Sequence, residues 1–244
     1  GGNSLCAGAG FIVCEGFETT AAGTNVAPAG WSRTGSVDVI ADAANVYRGS
    51  RSLRINAAPN GPRRITKTGP EITALGGRHW GRIFFKVQTP APRPTGGVIH
   101  SSIVSGMAMS PVAGVPGTGE NEIRVVDTVE NTAGRYQFLY NVQRQGVTNE
   151  FGNNPPYNYT YDGQWHCVEW SVDFATQNYH LYYDGTEATQ VAVTNGAGNF
   201  NNSELPMVWK SISAGWYNYQ SAGVGFVAWI DEIALDTNRI GCGN

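Results

Sequence analysis

The sequence predicts an all-β fold in which two antiparallel sheets pack into a sandwich. Glycine supplies 32 of the 244 residues, charged residues make up only 14%, and short runs rich in β-branched and aromatic residues recur between turn-forming segments. This composition is typical of many short strands joined by turns. No unit repeats at a fixed period, which disfavours propellers and solenoids. Sandwiches of this length are commonly single domains, so we predict one domain spanning residues 1–244.

Charge and hydropathy exclude several kinds of partner. The formal net charge is −3 and the largest basic cluster is the Arg63-Arg64 pair, so nucleic acid and anionic membranes are poor candidates. No apolar run approaches the roughly 20 residues that span a bilayer. The chain starts at Gly-Gly-Asn-Ser without a leader, which indicates a mature or trimmed start. We expect a monomer that binds neither nucleic acid nor membrane.

Four cysteines, Cys6, Cys14, Cys167 and Cys242, are too scattered for a zinc ribbon or a redox Cys-x-x-Cys motif. Their even number favours two disulfides in a secreted protein over free thiols in a reducing compartment. Four cysteines allow three pairings, and the sequence alone does not choose among them. We favour pairing the N-terminal cysteines with the late ones, because terminal strands often lie side by side in sandwiches.

Alternating side chains define the strands in chain order. Residues 79–87 and 164–174 each carry one apolar row and one polar or mixed row, and residues 179–183 form a returning strand that ends at the turn signal Asp184-Gly185. The rows predicted to face the core are Ile83, Phe85 and Val87 in the first strand and Val168, Trp170, Val172 and Phe174 in the second. Glu169 and Asp173 are predicted to face away from the core, where solvated residues are favoured over acids of a cleft.

Two strands in the middle of the chain carry polar faces. Residues 98–104 place His100 on the face opposite Ile99 and Ile103, and residues 122–127 place Glu122 and Arg124 opposite apolar neighbours. A lone strand histidine is most often structural. The polar face in the next strand makes this histidine a candidate for chemistry. Residues 136–144 add a row of amides that includes Asn141, which suits sugar hydroxyls as well as ordinary cross-strand bonding.

Residues 209–220 are the most unusual stretch, because three large aromatics and two amides follow one another on a single predicted strand. Alternation places Tyr217 and Tyr219 on one face and Trp216 and Gln220 on the other. Tyrosine hydroxyls, an indole and amides suit a cleft that binds a hydroxyl-rich ligand. In a regular strand at most one of the two rows lines that cleft, and we favour the tyrosines.

Short motifs along nearly the whole chain resemble those of known carbohydrate-active proteins. The motifs are Phe-Glu at 17–18, Gly-Trp-Ser at 30–32, Tyr-Arg-Gly-Ser-Arg-Ser-Leu-Arg-Ile at 47–55, Cys-Val-Glu-Trp at 167–170, Ala-Gly-Trp-Tyr-Asn-Tyr-Gln at 214–220 and Trp-Ile-Asp-Glu-Ile at 229–233. The first three and the last resemble the frame of jelly-roll carbohydrate-active domains. The last three, together with Arg-Ile-Gly-Cys at 239–242, resemble the core-domain family of the fungal cellulose-induced protein. The Val-Ile-His and Ala-Gly-Trp-Tyr segments are more distantly similar to strands of jelly-roll polysaccharide lyases that act on glucuronan or alginate. The resemblance implies a concanavalin-like β-jelly roll, two antiparallel sheets with a concave cleft.

The resemblance to jelly-roll carbohydrate-active domains implies a structural calcium ion. Carried onto this sequence, its carboxylate ligands are Glu18 and Asp231, and the turn from Arg48 to Ser50 supplies carbonyl or hydroxyl oxygen. Calcium takes six to eight oxygen ligands of these kinds. Glu15 could replace Glu18. The alternative is that Glu18 is a solvated strand end and Asp231 a hydrogen-bonded acid at the edge of the core.

The resemblance to lyases implies β-elimination in a polyuronate as the activity. His100 suits the general base because its pKa lies near neutrality, and Tyr217 suits the acid because its phenol keeps a proton near pH 7. Arg124 is the candidate to neutralise the uronate carboxylate in bidentate fashion, with Gln220 helping. The alternative is that Tyr217 performs both steps, with Arg124 stabilising its phenolate. Tyr219, Trp216 and Asn141 are the remaining candidate substrate contacts. Alginate lyases have glutamine where Val98 stands here, so a glucuronan-like polymer is the expected substrate.

A non-catalytic carbohydrate-binding module is the alternative function, because aromatics, amides and calcium explain the same residues without chemistry at His100 or Tyr217. A glycoside hydrolase is less well supported. It would need two carboxylates about 5 to 10 Å apart across the cleft, and the sequence has no compact acidic run that supplies them.

Overall fold

The computed structural model describes residues 2–91, 97–110, 119–131, 136–144, 151–194, 208–221, 225 and 227–243. Besides two 3₁₀ helices at Ala43–Asn45 and Thr189–Val191, fifteen strands and one short α-helix lie within this described part. They are β1 (Val13–Glu15), β2 (Trp31–Thr34), β3 (Val37–Ile40), β4 (Ser52–Ile55), β5 (Gly61–Thr68), α1 (Pro70–Ala74), β6 (Arg78–Val87), β7 (Val98–Ser110), β8 (Gly119–Asn131), β9 (Tyr136–Arg144), β10 (Phe151–Tyr159), β11 (His166–Asp173), β12 (Asn178–Tyr183), β13 (Thr186–Glu187), β14 (Val208–Asn218) and β15 (Ala228–Asp236). No helix in these ranges is long and apolar enough to cross a membrane.

The strands form two antiparallel sheets, which confirms the predicted all-β sandwich. The first sheet has the order β13-β12-β11-β6-β15-β4-β3, with β1 also pairing with β15, and the second has the order β10-β9-β8-β7-β14-β5-β2. Apolar side chains from both sheets form one buried cluster between them. The burial of these side chains is the main favourable contribution to folding.

Simple alternation predicts the core rows correctly. The predicted inward residues of β6 and β11 are all buried, with exposures of 0 to 2%. Residues 153–160 are an exception, because their Asn-Asn-Pro-Pro-Tyr-Asn-Tyr-Thr sequence is polar and aromatic and indicates a loop, whereas the structure extends β10 through Tyr159 and pairs it with β9. The register of that pairing shifts between Asn153 and Tyr157, at the Pro-Pro pair. Proline removes the backbone donors of a regular ladder, so it is tolerated on an edge strand such as this one.

The disulfides join Cys6 to Cys14 and Cys167 to Cys242, so the favoured pairing of early with late cysteines is wrong. Its premise holds, because β1 does pair with β15, but Ala234 rather than a cysteine lies opposite Cys14. Cys6 instead lies on a turn that folds back onto Cys14. Cys242 follows β15 across the outer face of the first sheet to β11, where the backbone N–H of Gly241 donates to Glu169.

Strands β5 and β14 approach each other closely at Gly215. This residue has φ 153°, and a Cβ atom there would lie 2.3 Å from the carbonyl oxygen of Arg63. Glycine avoids that clash because it has no side chain. Arg64 is the register partner of Gly215 on β5, so the absent side chain leaves room for the arginine on the outer face of the second sheet. Gly215 therefore helps to position a charged residue beside Tyr217.

Candidate functional site

Three neighbouring strands of the second sheet, β8, β7 and β14, bring the candidate residues together. His100 lies on β7, and Tyr217 on β14 is the register partner of Ser102, two residues further along β7. Ile99 and Ile103 are buried in the core with exposures of 2% and 1%, so His100 and Ser102 point to the opposite, outer face as predicted. The histidine and tyrosine rings meet there, with 5.0 Å between the ring centroids of His100 and Tyr219.

A continuous chain of hydrogen bonds links His100 to Tyr219. The imidazole Nε2 of His100 lies 2.5 Å from Oδ2 of Asp127, and the hydroxyl of Ser102 donates to Oδ1 of the same carboxylate at 2.7 Å. The hydroxyls of Ser102 and Tyr219 are 3.1 Å apart. Because Ser102 donates to Asp127, Tyr219 donates to Ser102. The carboxylate of Asp127 is fully buried and therefore holds both groups in fixed orientations.

Asp127 is the site residue that sequence analysis missed. Regular alternation would place it in the core together with Ile123 and Val125. The pairing of β8 with β9 shifts between Arg124 and Asp127, and Val125 and Val126 are both fully buried. This bulge inserts one extra residue and moves Asp127 to the outer face. The sequence signals this bulge by two consecutive valines, Val125 and Val126, which break the alternation just before Asp127.

Arg124 belongs to this cluster but is buried under the ring of Tyr219. Its guanidinium carbon is 4.2 Å from the centroid of the Tyr219 ring, its Nη2 donates to Gln143 at 2.7 Å, and the side chain is only 1% exposed. The prediction that Arg124 contacts a substrate carboxylate in bidentate fashion is therefore wrong, because the tyrosine ring covers the guanidinium. Its position instead places a positive charge directly against the ring of Tyr219.

Burial raises the pKa of Tyr219 well above its usual value, and the negative charge of Glu122 adds to this shift while Arg124 opposes it. The phenol of Tyr219 therefore keeps its proton at neutral pH. Tyr217 stacks on Tyr219 with 4.3 Å between ring centroids. The predicted acid, Tyr217, thus lies beside a second tyrosine whose hydroxyl is already connected to the histidine.

Arg64 is the more exposed arginine of the cluster. Its guanidinium lies over the ring of Tyr217 at 5.3 Å, and its Nη1 donates to the Ser105 hydroxyl at 3.1 Å. The Arg64 side chain is 24% exposed. The sequence favours an exposed, salt-bridging arginine at this position over one that points toward a cleft. The structure gives Arg64 an ion pair with Glu122 at 3.5 Å and enough exposure to contact a ligand on the outer face.

The other candidate substrate contacts have different locations. Trp216 is 1% exposed and packs in the core against Phe85 and Tyr161, so the prediction that it contacts substrate is wrong. The opposite side of its strand faces outward, as alternation requires. Gln220 is exposed, and its Oε1 accepts the backbone N–H of His100 at 2.6 Å. Asn141 on β9 is the register partner of Arg124. The roles of Gln220 and Asn141 in binding substrate stay predictions.

Glu18 and Asp231, the predicted calcium ligands, both contact the turn after residue 46. Glu18 accepts hydrogen bonds from the N–H and hydroxyl of Ser50 at 2.8 and 2.6 Å, and Asp231 accepts from the N–H groups of Tyr47 and Arg48 at 3.0 and 3.2 Å. Burial and the neighbouring Glu232 raise the pKa of Asp231 to about 8. The negative charge of the adjacent Glu232 carboxylate is the feature that suits this position to a hard cation, which would offset the repulsion between the two acids.

The rest of a calcium shell would have to come from other oxygens. Among the described residues, no three His, Cys, Asp or Glu side chains are grouped so that they could hold a metal. Two carboxylates and the Ser50 hydroxyl fit the donor chemistry of calcium, and carbonyl oxygens and water would complete the shell. Glu15, the alternative ligand, accepts the backbone N–H of Phe17 at 2.6 Å.

The acids considered for a hydrolase are not paired across a cleft. Glu169 was predicted to be solvated, but it is 1% exposed and accepts a hydrogen bond from Nε of Arg239 at 2.7 Å. The C-terminal segment crosses the sheet here and covers the carboxylate. Asp173 accepts the backbone N–H groups of Ala175 and Thr176 at the end of its strand. Both acids therefore have structural partners on the sheet that does not carry His100.

Comparison with solved structures identifies proteins with this architecture. The structure of Cellulose induced protein matches with a TM-score of 0.60 at 18% sequence identity, covering 95% of this chain and 100% of that one. An endo-β-1,4-glucuronan lyase from the fungus Trichoderma reesei matches with a TM-score of 0.53 at 14% identity, covering 97% and 94%. The chain shares their fold. The resemblance seen in the sequence motifs is thus confirmed at the level of architecture.

A third match is a carbohydrate esterase of the Shiga toxin-encoding bacteriophage phi24B, with a TM-score of 0.54, 15% identity, and coverage of 92% of this chain and 97% of that one. No family model matches the sequence, and no curated protein is significantly similar to it. Identities this low establish the fold and leave the activity to be argued from the site. The two disulfides are consistent with an extracellular protein.

Proposed function

We propose that this chain is a secreted polysaccharide lyase that cleaves a glucuronan-like polyuronate by β-elimination. The observation that carries the proposal is the hydrogen-bonded chain from His100 through Asp127 and Ser102 to Tyr219. It places a basic imidazole and a protonated phenol side by side on one face of one sheet. β-Elimination needs such a pair, because one group removes a proton while the other supplies one.

The histidine acts as the base. Asp127 accepts the Nε2 proton of His100, which leaves Nδ1 as the basic nitrogen of the neutral ring. Nδ1 removes the proton from C5 of the uronate, next to its carboxylate. Arg64, the more exposed of the two arginines in the site, neutralises that carboxylate and so stabilises the negative charge that develops on the sugar.

The tyrosine acts as the acid. As the C4–O bond breaks, the phenol of Tyr219 turns from Ser102 to the departing glycosidic oxygen and gives it a proton, and a double bond forms between C4 and C5. Its raised pKa keeps the phenol protonated until that step. Arg124 lies against the ring and stabilises the phenolate that results. The imidazolium and phenolate then return to their starting states by exchange with solvent. Tyr217 would support the ring of Tyr219 and contact the sugar.

We expect the wild-type protein to generate unsaturated uronates from glucuronan, measured as ultraviolet absorbance of the new double bond. His100→Ala and Tyr219→Phe should each lower the rate by about 10²- to 10⁴-fold, the usual range for loss of a general acid or base. Tyr217→Phe should lower it by less than tenfold if Tyr219 is the acid, on the same scale. A larger loss of rate in Tyr217→Phe than in Tyr219→Phe would indicate that Tyr217 is the acid.

Binding without cleavage is the competing outcome. The partly buried Tyr217 and Tyr219 and the exposed amide of Gln220 suit a carbohydrate-binding module as well. If no polyuronate is cleaved and polysaccharide pull-down persists in His100→Ala, the protein binds carbohydrate without chemistry. A folded His100→Ala protein, checked by circular dichroism, is needed for either conclusion.

We also propose that Glu18, Ser50 and Asp231 bind a structural calcium ion, supported by the burial of Asp231 and by the contact of both carboxylates with one turn. Calcium at about 100 times its Kd should raise the free energy of unfolding by about 2.7 kcal/mol. The measurement is thermal unfolding in calcium and in chelator.

Asp231→Asn should abolish the difference between calcium and chelator. Asp236→Asn, the same change at the end of the same strand, is the control and should leave the difference intact. An equal melting temperature for the wild-type protein in calcium and in chelator would exclude a structural calcium ion. This result would not affect the lyase proposal, because no step of that reaction passes through the metal.

A further inference from the structure

The outer-face cluster contains a carboxylate placed between two arginines. Oε1 of Glu122 lies 3.5 Å from Nη1 of Arg64, and its Oε2 lies 3.4 Å from Nε of Arg124. Each arginine lies over one tyrosine ring, and the two rings of Tyr217 and Tyr219 stack on each other. Glu122 therefore closes a ring of contacts that runs through both arginines and both tyrosines.

The two arginines of this ring differ in accessibility. Arg124 is 1% exposed, is held by Gln143 and lies beneath the tyrosine ring, whereas the Arg64 side chain is 24% exposed and that of Glu122 is 16% exposed. Within the described part of the chain, Nε of Arg64 is a buried donor with no hydrogen-bond partner. The contact between Glu122 and Arg64 is thus the part of the ring that an incoming anion can reach and replace.

We propose that Glu122 holds, in the free protein, the position on Arg64 that a uronate carboxylate takes when the polymer binds. The inference rests on the proposed function, since it assumes that Arg64 is the carboxylate contact. When the substrate carboxylate replaces it, Glu122 keeps its contact with Arg124, so no buried charge loses its only partner. Glu122 therefore lowers the affinity for every acidic sugar, and it keeps Arg64 paired when no sugar is bound.

This arrangement also gives selectivity for acidic polymers. A neutral sugar offers no charge to replace Glu122, so it would have to cover the existing ion pair and remove part of its hydration. A uronate exchanges one carboxylate for another at the same guanidinium. Selectivity then depends on a difference in affinity between two ligands rather than on tight binding alone.

The test is the Glu122→Gln variant, which keeps the size of the side chain and removes its charge. Binding of glucuronan oligomers is measured by titration calorimetry in a Tyr219→Phe background, so that the ligand is not consumed. We expect affinity for the oligomers to rise about threefold to tenfold, the scale of a partly exposed ion pair together with relief of repulsion. Affinity for neutral β-1,4-glucan oligomers of equal length should not rise.

Glu120→Gln is the matched control. Glu120 lies two residues earlier on β8, and its carboxylate pairs with Lys210 at 2.5 Å rather than with Arg64. Glu120→Gln changes the net charge by the same amount as Glu122→Gln. An equal rise in affinity for glucuronan oligomers in both variants would therefore show a long-range charge effect and overturn the inference. The double variant Arg64→Met, Glu122→Gln should show no rise in affinity, because the guanidinium that binds the uronate carboxylate is removed.

Unchanged or weaker uronate binding by Glu122→Gln would also overturn the inference, and so would the absence of uronate binding in every variant. The lyase proposal is tested separately by the unsaturated product of the wild-type protein. A protein that binds uronates in the expected order without cleaving them would refute the lyase proposal and retain the role of Glu122. If the protein cleaves glucuronan but Glu122→Gln does not raise the affinity, the lyase proposal is retained and the role of Glu122 is refuted.

Discussion

Asp127→Asn is expected to lower kcat/KM for glucuronan cleavage by about 10²- to 10⁴-fold, because it reverses the polarity of the contact with His100. The asparagine oxygen can still accept the hydrogen bond from Ser102. Its amide nitrogen then faces Nε2 of His100 and donates to it. The imidazole must carry its proton on Nδ1, the nitrogen that should remove a proton from the sugar.

The pH dependence of cleavage distinguishes this effect from a simple loss of structure. Asp127 favours the imidazolium by its negative charge, so its removal should move the acidic limb of the kcat/KM profile to lower pH. Asp173→Asn is the control, since it makes the same substitution at a strand end on the other sheet. Cleavage within tenfold of wild type together with an unchanged acidic limb would contradict a role for Asp127 in orienting His100.

The rows of the strands could be predicted because burial follows a two-residue period. Ile99 and Ile103 identify the outer face of His100, and the same argument separates Tyr217 and Tyr219 from Trp216. The apolar row of β11 was predicted in full for this reason. These predictions need only the sequence within one strand.

The errors come from features that depend on other strands. Asp127 reaches the outer face through a bulge, which is defined by pairing with β9 rather than by the local sequence. Alternation gave the correct face for Arg124 but not its depth, because the ring of Tyr219 from β14 covers it. The disulfides likewise depend on where the terminal segments turn. Sequence patterns therefore give the face of a side chain, and tertiary packing decides its exposure and partners.

His79 is expected to make the fold sensitive to acid. Its imidazole is fully buried, and Nε2 accepts the indole N–H of Trp170 at 2.9 Å, so that nitrogen must be unprotonated. Burial lowers the pKa of His79 to about 3. Above pH 6.5 the histidine is neutral in both folded and unfolded chains and does not affect the pH dependence of stability. Below it, the unfolded chain binds a proton that the folded chain excludes, so stability falls until the pH reaches about 3.

The loss amounts to about 1.4 kcal/mol per pH unit, or about 3 kcal/mol between pH 6.5 and 4.5. Denaturant unfolding of wild type and His79→Gln at pH 7 and pH 4.5 isolates this contribution, because the other titrating groups are common to both. Glutamine can accept the Trp170 N–H through its amide oxygen but does not titrate. The stability advantage of the wild type at pH 7 should therefore shrink by about 3 kcal/mol at pH 4.5. His180→Gln, at a partly exposed histidine paired with Glu187, should not reproduce this narrowing. A wild-type advantage that stays constant with pH would mean that the folded protein protonates His79 as readily as the unfolded chain.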